Sequence, residues 1–177
     1  MSHTPISGKL VDGVFRRVLA EDVSLTLKDE LAQNGLDLGA LAPSYPREVW
    51  YRAVALTAAA LFPQELPEAQ LRSLGRHVIR SLESRRVIRG PWLAMARLMG
   101  PRRALRQAAG HLHESPVALS VTERSRSEVE IVVEELEQPE FLVGLLEAAC
   151  TALGARHCRV TVEGRSATGT TFGVSWR

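Results

Sequence analysis

The chain has 177 residues, is 45% hydrophobic and 24% charged, and carries a formal net charge of +2, which suits one ordinary globular domain with a real core and names no partner by bulk electrostatics. No run reaches the roughly 20 apolar residues of a membrane span, and the start MSHTPISGKL lacks the apolar segment of a secretory signal. A cytoplasmic protein is expected.

In chain order, residues 1–8 look like a flexible tail, and a single domain is expected over 9–177, with helices to about residue 114 and a sheet unit over 116–177. Leu10, Val14, Val18 and Leu19 suit a first helix. Asp22 or Ser24 caps a second, about Leu25 to Asn34, which Gly35 closes. A third helix follows Tyr45-Pro46; its run VWYRAVALTAAALF is apolar almost all round and predicts a central, buried element. Pro67 starts a fourth, with Leu71, Leu74, Val78 and Leu82 at helical spacing. Gly90-Pro91 and Gly100-Pro101 then bracket a fifth, WLAMARLM, and a sixth, RRALRQAAGHLH.

At Pro116 the pattern changes to alternation. Val117, Leu119 and Val121 predict one strand, and Val129, Ile131 and Val133 the next, a hairpin with one wet face. Glu140–Leu153 reads as a helix closed by Gly154. Cys158, Val160 and Val162 then match Phe172, Val174 and Trp176 across a loop, and Gly173 suggests a bulge. The fold class is therefore α+β, a helical N-terminal layer packed on a C-terminal ββαββ antiparallel sheet.

The segments SYPREVWYRAVALTAAALFP, LRSLGR, MGPRRAL and FLVGLLEAACTALGARHCRVTVEG, with the closing FGVSW, occur in an order that resembles an uncharacterised paralogous family expanded in myxobacteria. The last third is also similar to a wider superfamily of vinyl-reductase-type sensor domains, TRAPP-type trafficking subunits and haem–nitric-oxide-binding domains. The resemblance implies a fold whose relatives hold an apolar ligand, or dock a partner, between helices and sheet. It brings no assigned chemistry. The haem-binding relatives use a proximal histidine late in the helix before the sheet and a Tyr-x-Ser-x-Arg clamp. His111 and His113 fall near the first position, but VTERSRSEVEI has no tyrosine at the second, so no cofactor is expected and haem is set aside. The final hairpin has Arg165 and Thr168 where vinyl-reductase-type domains carry cysteines, and neither cysteine lies in the first half of the chain, where a TRAPP-type acylated cysteine would fall.

No catalytic constellation stands out. The glycines form no dinucleotide loop, no nucleophile-elbow motif occurs, and His157 and Cys158 would point to opposite faces of a strand. Glu134 and Glu135 read as a solvated edge. Cys150 and Cys158 form neither a disulfide framework nor a metal-ligand spacing and read as buried thiols. No metal is expected.

The strongest charge signal is arginine. Between Arg72 and Arg106 the only acid is Glu83, and from Glu128 to Glu140 every charge is a glutamate. Arg72, Arg76 and Arg80 share a helix face, and with Arg102, Arg103 and Arg106 they make a candidate interaction surface for an acidic partner. The alternative is a solvated face pairing with the glutamates of 128–140. Nucleic acid is not expected, because no reader motif accompanies the arginines. Trp50, Val54, Phe62, Trp92 and Met95 are candidates for an apolar pocket. The expected function is a non-catalytic sensory or adaptor domain acting through a protein partner or as a homodimer. The alternative is a sensor binding a small apolar ligand between the helical layer and the sheet.

Overall fold

Regular structure reaches into the segment expected as a tail over residues 1–8. The computed structural model describes residues 5–84, 91–112, 119–134, 136–166 and 169–177, with the backbone alone at 91–96 and 108–112. Ile6–Ser7 forms a short strand, β1, antiparallel to β2 at Ser44–Tyr45. Ile6 is buried in the helical core, and burial of a side chain of that size stabilises by about 1.5–3 kcal/mol, enough to hold the segment down.

Helix α1 spans Gly8–Val11 and continues as a wider π-helical stretch, Asp12–Val18. Helix α2, Leu25–Gln33, starts where Ser24 Oγ accepts a hydrogen bond from the Leu27 N–H at 3.2 Å. It ends at Gly35, whose φ of +90° suits a residue without Cβ. Helices α3 (Arg47–Leu61) and α4 (Pro67–Ser84) follow. Helix α5, Pro91–Leu112, is two helical segments joined at Gly100 (φ 75°, ψ 167°), as the Gly100-Pro101 pair predicts.

Strands β3 (Leu119–Ser125) and β4 (Glu128–Val133) form a hairpin, helix α6 occupies Pro139–Ala152, and β5 (Arg159–Ser166) and β6 (Gly169–Ser175) close the chain. The four strands are all antiparallel in the order β3-β4-β6-β5. This is the expected α+β class, with a ββαββ unit under a helical layer. No helix among the described residues is long and apolar enough to cross a membrane.

Two apolar clusters carry the packing. Phe15, Leu31, Leu36, Val54 and Leu74 belong to the helical one. Val129, Ile131, Val133, Phe172 and Val174 belong to the one on the sheet. Helix α6 joins them, because Phe141 and Leu145 pack on the first while Val143, Leu146 and Cys150 pack on the second. The central helix is therefore α6 and not α3. Helix α3 buries Trp50, Ala53, Val54, Thr57 and Ala58 but turns Arg52, Ala55, Ala59 and Ala60 to the surface. Alanines expose little apolar area, so an apolar sequence here is compatible with a solvated face.

The sheet departs from expectation at two places. Gly173 pairs regularly with Glu130 and Thr161 and marks no bulge; the irregularities lie at Glu123/Ser125 and Val162/Gly164. Gly173 is small because the Glu163 carboxylate lies across it, on its way to ion pairs with Arg124, which also holds Glu130. Val162, expected inside, is 36% exposed, being on the edge strand and next to a bulge.

Candidate functional site

Helices α4 and α6 approach at two glycines. A Cβ at Gly75 would overlap the Phe141 carbonyl, and one at Gly144 would overlap the Arg72 carbonyl. This backbone contact leaves no space for a ligand at the crossing itself. It also brings the arginine face of α4 onto α6. There Glu147, only 9% exposed, accepts from Arg72 through Nε at 3.2 Å and through Nη2, and from Arg76 through Nε at 3.0 Å and Nη2 at 2.7 Å. Burial acts to raise the Glu147 pKa, but the hydrogen bonds and charges of the two guanidinia outweigh it and hold the carboxyl below its usual range. The Glu147 hydrogen bond in turn raises Arg72 further.

Beside this clamp a cavity of about 500 Å³ opens. Arg76, Arg80 and Glu83 of α4 stand on one side, and Ala148, Thr151 and Ala152 of α6 on another. Arg97 of α5 and Cys158, just before β5, complete it. The small side chains of α6 create the space. Arg97 reaches in because its Nε donates to the Ala152 carbonyl at 2.7 Å, satisfying a group that the end of a helix leaves open. Its Nη2 stands 3.5 Å from Glu83. Cys158 is half-buried and Cys150 fully buried, and both are free thiols. The proximity of the two thiols lowers the Cys158 pKa and, together with burial, raises that of Cys150.

The six arginines expected to form one surface are thus divided. Arg72 and Arg76 serve Glu147, while Arg80 has no carboxylate partner among the described residues and faces the cavity. Arg102 and Arg106, one turn apart on α5, converge on Glu123 of β3 at 3.4 and 3.3 Å. Arg103 is exposed and unpaired among the described residues. Among the described residues the ion-pair partners of these arginines are Glu147 and Glu123, and of the glutamates of 128–140 Glu140 acts on Arg72 through its charge. Of the apolar candidates, Trp50 and Val54 lie in the helical core, with Trp50 edge-on to Phe15 at 5.9 Å, and Phe62 packs edge-on against His77 at 6.1 Å. None of these three lines the cavity beside the clamp. The side chains of Trp92 and Met95 lie outside the described residues.

Sequence reasoning counted Arg97 in the arginine-rich stretch but not in the candidate surface, and missed Glu147, the cavity-forming alanines and the proximity of the two thiols. One signal was available: Glu147 is the only charge between Glu140 and Arg156, and an acid that an apolar helix carries into the packing needs a cationic partner.

The fold is that of H-NOX domains. The chain superimposes over 97% of its length on 97% of an Fe(II) unliganded H-NOX protein from K. algicida, with TM-score 0.64 and 13% identity. It also covers 95% of an oxygen-binding H-NOX domain related to soluble guanylate cyclases, with TM-score 0.67 and 14% identity over 97% of this chain. A structure concerned with haem distortion in the H-NOX family gives the same coverages and identity and a TM-score of 0.68. By sequence, the chain belongs to the family described as "Protein of unknown function (DUF2378)", matched over residues 5–177. No curated protein matches it.

These likenesses correct the expectation of no cofactor. Solved structures with this fold are described by their haem, so haem is a candidate cofactor. A haem site needs an axial donor and apolar walls for the ring. Among the described residues the cavity offers one soft donor, Cys158, and guanidinia suited to carboxylates, but its walls are charged or small. His77 Nε2 is engaged by Asp22 at 3.1 Å, and His157 is exposed. The side chain of His111 and the whole of His113 lie outside the described residues. The residues described fit the propionate end of a haem and not its ring.

Proposed function

We propose that this chain is a non-catalytic sensory domain whose signal is a small ligand, held in the cavity between α4, α5, α6 and β5. The observation that carries this reading is the meeting of two facts. The H-NOX fold is kept over 97% of the chain, and a cavity of about 500 Å³ of ligand-site size opens where the helical layer meets the sheet unit. Helix α6 belongs to both apolar clusters, so a ligand resting on it is placed to alter how the helical layer sits on the sheet. This cavity is polar, and neither Trp50, Val54 nor Phe62 lines it.

Haem is the first ligand to test, because the structural neighbours are described by it. The experiment is a native mass spectrum and a visible absorption spectrum of the freshly purified protein. The expected result is an added mass, with a Soret band if that mass is haem. A protein with neither added mass nor chromophore contradicts the ligand-sensor reading.

A second reading, docking of a protein partner, is favoured by one observation. Leu98 is 88% exposed on α5, on the same helix as the unpaired Arg103. Sedimentation of the protein alone and with the Leu98→Asp, Arg103→Glu variant tests it; assembly that is absent in both speaks against self-association.

A further inference from the structure

The ligand class can be taken from the walls of the cavity. We infer that it receives a compact organic anion, with Arg80 and Arg97 as the groups that bind its charge and Ala148 and Ala152 as the floor beneath it. This rests on the small-ligand reading above and names its chemistry.

The charges around the cavity are not equivalent. Glu147 is saturated by two guanidinia, so it neither repels a ligand at full strength nor leaves Arg76 free. Among the described residues Glu83 is met only by the long 3.5 Å approach of Arg97. Arg80, one turn beyond Arg76 on the same face of α4, has no carboxylate partner among the described residues. The lining therefore carries three arginines against two glutamates, and the unsatisfied donors belong to Arg80 and Arg97. The C-terminal carbonyls of α6 oppose an anion here, but Arg97 Nε caps the one at Ala152. That bond also holds the rest of the Arg97 guanidinium toward the space, already oriented. A planar guanidinium fixed in this way suits carboxylate or phosphate oxygens, which it can grip with two hydrogen bonds. The methyl groups of Ala148 and Ala152 provide contact for a short carbon skeleton. Cys158, on the same wall, is a natural reporter of occupancy, since its half-buried thiol faces the cavity while Cys150 is fully buried.

The test uses the full-length chain with two probes, citrate and inorganic pyrophosphate, titrated calorimetrically at constant ionic strength. In parallel, the rate of Cys158 alkylation by iodoacetamide is followed by peptide mass. Binding of at least one probe is expected, with saturable slowing of alkylation. Arg80→Ala and Arg97→Ala should each weaken it about tenfold, and Arg103→Ala should leave it unchanged. Citrate alone binding identifies a carboxylate site, and pyrophosphate alone a phosphate site. Equal weakening by Arg103→Ala means diffuse charge attraction and overturns the proposal. If neither probe binds at millimolar concentration, the native mass decides how far the failure reaches. An added mass that survives the Arg80→Ala, Arg97→Ala double variant leaves the sensor reading standing and removes the anion. No added mass removes both. Circular dichroism of each variant shows that the fold is kept.

Discussion

The arginine row on α4 ends in two different ways. At Arg72 and Arg76 it meets a buried carboxylate across a glycine-to-glycine helix crossing, and the charges become part of the packing. One turn later, at Arg80, the α6 side chains across the cavity are alanine and threonine, and the same residue type stands over open space. The sequence repeats one residue at one spacing. What differs is the partner on α6, so an arginine stripe acquires a structural or a binding role only from the element packed against it.

The largest expected effect comes from forcing the crossing apart. Gly144→Ala places a methyl group against the Arg72 backbone, which no side-chain rotation relieves. It should cost about 3 kcal/mol, the upper part of the usual overpacking range, and lower Tm by roughly 6–12 °C in a thermal melt. Next is Glu147→Ala, which strips two guanidinia of their partner; with the arginines partly solvated, urea melts should show a loss of about 2 kcal/mol. The paired substitutions Arg72→Ala and Arg80→Ala sharpen the contrast directly. The first should cost about 1–2 kcal/mol and the second stay within about 0.5 kcal/mol, as for surface changes.

The smallest effect is in pH. The folded pKa of Glu147 lies below its unfolded value, so its contribution is complete above the unfolded carboxylate pKa of about 4.3 and is lost as pH falls through the lowered folded value. Stability measured between about pH 5 and pH 2 should therefore fall less steeply in Glu147→Gln than in the parent. An unchanged slope would mean that the pair has no net ionic role.

Much of the fold was legible because local patterns and tertiary demands agree. The alternation of Val129, Ile131 and Val133 with glutamates names the strand and its buried face together, and Gly35 and Gly100 stop helices where the chain needs a positive φ. The central helix was misplaced because an alanine-rich run such as that of α3 looks buried by composition, whereas Ala55, Ala59 and Ala60 line the surface. Helix α6, shorter and bearing Glu147, takes that position because it is apolar on two sides at once. The candidate site was legible only in part. Arg76 and Arg80 announce themselves by spacing. Arg97, Ala148, Ala152 and Cys158 come from three other segments, and nothing local to any of them says that they meet. The expectation of no cofactor failed for a related reason: it rested on motif positions at His111, His113 and residues 121–131, while the likeness to haem-bearing domains lies in the whole chain path.

The most direct measurement of the central claim is the native mass of the purified protein beside that of Ala148→Trp. That substitution fills the cavity from the α6 side without touching an arginine, and circular dichroism reports whether the fold is kept. The parent should carry an added small-molecule mass that is absent from Ala148→Trp. A parent with no added mass, or an added mass equally present in the variant, would contradict the account.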